Sequence, residues 1–186
     1  MTSLDDLRIR RLSTSEVDRA DLVAARTLLI SAFGPTLEER FTTTDWDHSL
    51  GGTHFLADID GSIVAHASVI ERQIEIGGLP LRTGYVEAVA VAAGRQGQGI
   101  GSRLMEDVDA FIDERFELGV LGTGRIAFYE RLGWTPWQGQ AFVRTPSGLK
   151  RTPDEEGFIL VRATPTTPSL DRSASISCDW RPGDVW

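Results

Sequence analysis

The sequence predicts an α/β or α+β fold built on a mixed sheet. Three observations point to it. Two-residue hairpin signals separate runs of alternating apolar residues. Amphipathic stretches with a period near 3.6 lie outside those runs. A glycine-rich segment joins an apolar strand directly to one of those stretches, so strands and helices interleave along the chain.

Residues 7–12 (LRIRRL) alternate apolar and basic side chains, as a half-buried strand does. Across residues 16–33, Leu22, Arg26 and Leu29, with Val23 and Ile30, give a helical stripe that Gly34-Pro35 ends. A short helix is expected at 37–41. Another is expected at 45–50, with Thr44 as N-cap and Gly51-Gly52 as its stop. The period then changes to two. Strands at 54–59 and 62–76 flank the hairpin signal Asp60-Gly61, and Gly77-Gly78 turns into a strand at 80–82. Residues 85–92 (YVEAVAVA) form a strand with Val86, Ala88, Ala90 and Ala92 on one face and Glu87, Val89 and Val91 on the other. A helix follows at 101–116, its stripe of Leu104, Val108, Phe111 and Ile112 opposed by Glu106, Asp107, Asp109, Asp113 and Glu114. Residues 120–121 read as a short buried strand, 125–132 as a helix, 134–145 and 158–163 as late strands, and 164–168 as a loop.

The 186 residues fit one domain, 1–186, large enough to bury a core without disulfide or metal staples. The start, MTSLDDLRIRRL, lacks an apolar stretch of the kind a secretory signal needs, and no run is long enough to span a bilayer. Lone Cys178 has no partner for an internal disulfide, which fits a reducing cytoplasm and reads as a packed thiol. His48, His54 and His66 show no metal-ligand spacing, so no metal is expected and structural roles are. A net charge of −8 disfavours nucleic acid and permits a cationic ligand.

The most informative segment is the loop after the 85–92 strand. There Gly97-x-Gly99-x-Gly101 runs straight into an amphipathic helix. Glycines let backbone approach a ligand closely, and a helix start adds amide N–H groups and the positive end of a dipole. Together they make an anion site suited to a diphosphate. No Lys-Ser or Lys-Thr follows, as a P-loop requires, and the spacing is not that of a dinucleotide fingerprint.

The residues Gln96-Gly97-Gln98-Gly99-Ile100-Gly101 resemble the Q/R-x-x-G-x-G/A loop of the GNAT superfamily of N-acetyltransferases. The preceding VEAVAV strand and the later stretch 126–134 (IAFYERLGW) are similar to that superfamily in the same order. Residues 45–52 (DWDHSLGG), 151–154 (RTPD) and the tail 178–186 (CDWRPGDVW) narrow the resemblance to aminoglycoside 2′-N-acetyltransferases over nearly the whole chain. The resemblance implies the GNAT fold, an α+β arrangement with a central mixed, mostly antiparallel sheet flanked by helices. It implies acetyl-CoA as donor, a cationic aminoglycoside as acceptor, a cytoplasmic enzyme and a homodimer. It places the pyrophosphate of the donor on the amides of Gln96, Gly97, Gln98, Gly99, Ile100 and Gly101. Its pantetheine arm would lie along Val89, Ala90 and Val91, as an added strand does.

Acetyl transfer to an amine needs a base to deprotonate the attacking amine, donors for the developing oxyanion, and an acid for the leaving thiolate. Glu87 is the base candidate, acting directly or through water, because a glutamate inside so apolar a run is unusual. The resemblance points to the same residue and to a backbone N–H near Val89 as oxyanion donor. Tyr129, beside Phe128, reads from the residues alone as a core tyrosine; the resemblance makes it the general acid, a role for which a phenol pKa of about 10 is suited. A polycation calls for several carboxylates. The resemblance places acceptor contacts at Asp45, Glu87, Ala88, Gly122, Glu155, Asp184, Val185 and Trp186, the last through its α-carboxylate. Singly, Asp45 reads better as a helix-dipole cap, residues 154–156 as a solvated charge run and Asp184 as a tail acid; taken together with the acidic balance they favour a cationic pocket. Trp134 and Trp137 read as core, while Trp46, Trp180 and Trp186 stay open between core and site.

Two departures from the pattern bear on acceptor range. Arg40 stands where relatives can carry an acid, and the loop Gly122-Thr123-Gly124 is short and poor in serine. Two other activities remain open on the sequence: acetylation of a different amine (a polyamine, a cell-wall amino sugar or another metabolite), and a CoA-binding sensor without turnover.

Overall fold

The computed structural model of the chain describes residues 6–34 and 41–186, and these fall into two units through which the chain passes twice. The first unit holds the residues up to Ile70 and Glu87–Asp109. The second holds Glu71–Val86 and Ala110–Trp186.

In the first unit, β1 (Arg8–Ser13) pairs antiparallel with β2 (Thr53–Ile59), which pairs antiparallel with β3 (Ser62–Ile76). The hairpin turn has Asp60 at φ 51° and Gly61 at φ 74°. Two successive left-handed residues give the turn whose twist matches the flanking strands, and Asp-Gly is the pair that tolerates it. α1 (Arg19–Ala32) starts where Asp18 accepts a hydrogen bond from the Asp21 amide at 2.8 Å. Its buried side is Ala25, Leu28 and Leu29, whereas Val23 and Ile30 are 60% and 53% exposed. The predicted stripe was therefore rotated about the axis: Ala25, too small to stand out in the sequence, takes the centre of the packed face. The helix predicted at 45–50 is α2 (Thr43–His48), and its cap is Thr42 rather than Thr44. Thr42 Oγ1 accepts from the Asp45 amide at 3.2 Å while Asp45 Oδ2 accepts from the Thr42 amide at 2.7 Å. This reciprocal box needs an acid three residues after the cap; Thr42 has Asp45 and Thr44 has Asp47, and the fold uses the first pair. Of the helix expected at 37–41, all but Phe41 lies outside the described residues. Phe41 is not helical and its ring lies 5.3 Å from that of Phe33. Val17, Ala25, Leu28, Leu29, Trp46, Leu56 and Ala90 form the core of this unit, with Ala88 and Ala92 packed against it.

In the second unit the strand order is β6-β9-β5-β4-β3-β10-β7-β8, with ranges β4 (Leu79–Val91), β5 (Leu118–Gly122), β6 (Thr135–Pro136), β7 (Ala141–Thr145), β8 (Gly148–Arg151), β9 (Ile159–Ala163) and β10 (Ile176–Asp179). The β4–β5 and β10–β7 pairs are parallel; the β5–β9, β6–β9, β7–β8 and β10–β3 pairs are antiparallel. β4 is unbroken, where the sequence predicts separate strands at 80–82 and 85–92, because Thr83 and Gly84 pair with Leu118 and Gly119. The strand predicted at 134–145 divides into β6 and β7, which pair with different neighbours. β8 and β10 were not predicted: every residue of β8 is exposed, and β10 is four residues long with a serine and a cysteine in its buried column. Neither leaves an alternating signal.

α3 (Ile100–Arg115) buries Leu104, Met105, Val108, Phe111 and Ile112 as its period predicts. Asp109, assigned to the polar face, is only 8% exposed. α4 (Ile126–Glu130) is a single turn and a half that carries Tyr129. The core of the second unit runs from Ile74, Leu81 and Tyr85 through Val120 and Val161 to Cys178 and Trp186. Burial pushes the Cys178 thiol up to about 11, which keeps it protonated and unreactive. None of the helices is long and apolar enough to cross a membrane among the described residues.

Candidate active site

The glycine loop keeps the geometry its sequence requires. After β4 a short 3-10 turn (Ala93–Arg95) leads into the loop, where Gly97 and Gly99 take φ values of 74° and 85°. Side chains with a Cβ rarely enter that region, so glycine is needed at both. The loop is closed from within: Gln96 Nε2 donates to the Val91 carbonyl at 3.2 Å, and Gln98 Nε2 donates to the Gly94 carbonyl at 3.2 Å. Ile100 is buried and anchors the helix start, while Gln96, Gly97, Gln98 and Gly99 are exposed. The Arg103 amide is bonded to the Gly99 carbonyl, so α3 is wound from its first turn, and the amides before Arg103 have no acceptor within the helix. This is a ready anion cradle at the positive end of a 16-residue helix.

Upstream on β4, Glu87, Ala88 and Val89 are all half-buried, so the two-face alternation expected for this strand breaks at Ala88. Ala88 is not in extended conformation: its φ is 52°. Both neighbouring carbonyls are held by β3. Ser68 Oγ donates to the Glu87 carbonyl at 3.4 Å, and the His66 ring stands with Nδ1 at 2.8 Å from the Ala88 carbonyl. His66 Nε2 meets His54 Nδ1 at 3.0 Å, and His54 Nε2 meets Thr14 Oγ1 at 2.9 Å. Burial holds the His66 imidazole down at about 3 and that of His54 at about 4, so both are neutral. Asp45, also in this unit, is half-buried, with Oδ2 engaged by the Thr42 amide and hydroxyl, each at 2.7 Å.

The second unit gathers most of the remaining residues expected to contact an acceptor around Trp186. Trp186 is buried, and its indole Nε1 donates to Thr152 Oγ1 at 3.0 Å. Its amide donates to Asp184 Oδ1 at 3.1 Å, and Arg181 Nη2 donates to its carboxyl oxygen at 3.3 Å. A Cβ built on Gly122 would stand 3.6 Å from the Trp186 carboxyl carbon and 3.4 Å from Tyr85 Oη, so the terminal carboxylate lies against the end of β5. Glu155 is half-buried; loss of water, and then the nearby charges of Asp184 and Asp154, raise its pKa above the usual carboxylate value. Three acids and a terminal carboxylate thus share this region, a field suited to a polycation. Tyr129 is buried on α4, edge-on to Phe128 at 4.9 Å and to Trp134 at 6.3 Å.

Sequence reasoning missed what fastens this tail. Arg72 is 5% exposed, and its guanidinium donates to the Asp179 carboxylate at 3.2 Å, the Asp179 carbonyl at 2.8 Å and the Val185 carbonyl at 2.8 Å. It also stacks over Tyr85 at 4.8 Å. The signal was present: Arg72 shares strand parity with the buried Ile74 and Ile76, and a cation in an inward column calls for partners. The His54–His66 contact had no such signal, because every β3 residue from Val64 to Val69 is buried and the alternation is lost.

A family model described as "Acetyltransferase (GNAT) domain" matches residues 8–137. An aminoglycoside 2′-N-acetyltransferase from Mycolicibacterium fortuitum is 41% identical over 181 residues, which cover 95% of this chain and 91% of that protein. In structure the chain is similar to a GNAT family N-acetyltransferase from Escherichia coli in complex with CoA, with a TM-score of 0.64, 16% identity, and coverage of 93% and 89% of the two chains. It is also similar to a GNAT family acetyltransferase from Brucella melitensis in complex with acetyl-CoA, with a TM-score of 0.59, 20% identity, and coverage of 89% and 93%.

Proposed function

The chain belongs to the GNAT acetyltransferases, and from that premise we propose that it transfers the acetyl group of acetyl-CoA to the 2′-amine of an aminoglycoside. The observation that carries the choice of acceptor is the 41% identity to the Mycolicibacterium fortuitum enzyme, which extends across 95% of the chain. The gathering of Glu155, Asp184 and the Trp186 carboxylate supports it, since each ammonium of the acceptor loses water and needs an anionic partner.

In this reading the amides of the 96–101 loop bind the donor pyrophosphate, and the backbone of Val89, Ala90 and Val91 takes the pantetheine as an added strand. Glu87, through a water, removes the proton from the 2′-ammonium. The free amine attacks the thioester carbonyl and a C–N bond forms. The Val89 amide donates to the oxyanion as charge develops. The C–S bond then breaks, the Tyr129 hydroxyl gives its proton to the CoA thiolate, and the second proton shed by the new amide nitrogen restores the phenol by way of solvent. Asp45, Ala88, Gly122 and Val185 complete the acceptor contacts.

The test is release of free CoA thiol from acetyl-CoA, with a 2′-amino aminoglycoside compared with its 2′-hydroxy counterpart. The proposal requires release with the first and none with the second. Release with both keeps acetyl transfer and removes the 2′ assignment. Release with neither, while acetyl-CoA still binds, overturns the aminoglycoside as acceptor and directs the search to polyamines, cell-wall amino sugars and other amines.

A further inference from the structure

The contacts converging on Ala88 run in one direction only. Its carbonyl is purely an acceptor, so His66 Nδ1, 2.8 Å away, carries the proton. A neutral imidazole has one N–H, so His66 Nε2 is an acceptor and the proton in the 3.0 Å contact sits on His54 Nδ1. His54 Nε2 is then an acceptor in turn, and Thr14 Oγ1, 2.9 Å away, donates to it rather than to the Gly52 carbonyl at 3.2 Å, which the Thr14 amide already supplies at 2.9 Å. Thr14 Oγ1 itself accepts from the Gly51 amide at 2.9 Å. Four donors in series therefore point from the α2–β2 loop through two buried rings to one backbone oxygen. Such chains polarise one another, so the last bond is the stronger for the rest.

That oxygen belongs to a residue in an unusual conformation. Ala88 at φ 52° lies in the left-handed region, where an alanine persists only if its surroundings over-determine it. It also sits between Glu87 and Val89. A residue turned out of the extended conformation there sets both the direction of the Glu87 side chain and that of the Val89 amide.

We infer that His66, oriented by His54 and Thr14, is a positioning residue for acetyl transfer: its Nδ1–H holds the left-handed turn at Ala88 and thereby aims Glu87 and the Val89 amide at the reacting acetyl group. This rests on the assignment of Glu87 as base and of the Val89 amide as oxyanion donor. The neutrality of both rings is consistent with it, since a protonated His66 would have no lone pair for His54. The chain has no part in carrying the substrate proton, because a carbonyl oxygen has no proton to pass on.

Two substitutions separate positioning from packing. His66→Leu fills the volume but removes the donor. His66→Asn is smaller and more polar, yet its amide N–H has about the reach of Nδ1. Both full-length variants are assayed with acetyl-CoA and a 2′-amino aminoglycoside, alongside thermal melting and acetyl-CoA binding. The expected result is a loss of about 100-fold in kcat for His66→Leu, with a much smaller loss of acetyl-CoA binding because the 96–101 loop is untouched. His66→Asn should recover about tenfold of that loss even where it melts no higher than His66→Leu. Equal kcat in the two, or kcat that tracks melting temperature, overturns the inference. So does a long-range nitrogen–proton NMR spectrum of the unmodified protein in which His66 carries its proton on Nε2. Glu87→Gln, measured in parallel, keeps the inference apart from the reading it rests on. If Glu87→Gln retains full kcat, the base assignment falls and the two His66 variants alone judge the hold on Ala88. If Glu87→Gln is slow and His66→Leu is not, the positioning role alone is overturned.

Discussion

Acid should destabilise this protein through two particular rings. His54 and His66 are fully buried and neutral, held at about 4 and about 3 by loss of water, with the neighbouring His54 adding to the effect on His66. In the unfolded chain each titrates at about 6.5. Both folded values are lowered, so the stability linked to them is complete above about pH 6.5 and drains as the pH falls from there toward the folded values. Between about pH 8 and pH 5 each ring accounts for about 2 kcal/mol, hence about 4 kcal/mol for the pair. Urea unfolding followed at a series of pH values between these limits measures the loss directly. The slope should approach about 1.4 kcal/mol per pH unit for each histidine in the acidic half of that range. The double variant His54→Gln/His66→Asn is less stable throughout, but its pH slope should be shallower by that amount per ring removed. An unchanged slope in the double variant would refute the reasoning, as would NMR titration of either ring near pH 6.5 in the folded protein.

Three further outcomes follow from the geometry. Arg72→Met leaves the Asp179 and Val185 carbonyls without their buried donor. The loss should be about 3 kcal/mol, with faster hydrogen exchange over residues 179–186, and protection unchanged there would show that another group holds the tail. Gly52→Ala places a Cβ 2.1 Å from the Val69 carbonyl oxygen, a backbone atom with no rotamer to escape into. It should cost about 3 kcal/mol or more, and a melting temperature within a few degrees of the parent would contradict that. Glu87→Gln should lower kcat by roughly 100-fold or more and flatten the acidic limb of its pH profile. A normal profile would remove Glu87 as the base.

Several features were legible in the residues because they are local. Asp60-Gly61 and Gly77-Gly78 specify their turns through backbone conformations that few residues adopt, and both turns are present. The 3.6 period of α3 and the left-handed Gly97 and Gly99 before it place a glycine loop at a helix start without reference to any other segment. The reciprocal bonds between Thr42 and Asp45 span three residues and were within reach of sequence, yet the cap was placed at Thr44. The rule does not separate the two candidates, since Thr42 and Thr44 each have an acid three residues on, and only the packed helix chooses Thr42.

What only the tertiary structure decided involves partners far apart in sequence. Arg72 is separated from Asp179 by 107 residues and from Val185 by 113, and no local pattern records that the tail returns to β3. β10 has too few residues to show a period, so its strand identity comes from its neighbours β3 and β7. Ala88 has the side chain of an ordinary strand residue. Beside its left-handed turn the carbonyl is bonded by His66, which lies 22 positions earlier and is itself bonded to His54. The sequence by itself determined turns, helix periods and the glycine cradle, since those depend on dihedral preferences within a few residues. The strand order, the fastening of the tail and the bend beside Glu87 depend on hydrogen bonds closed across long loops, and they exist only once the chain has folded.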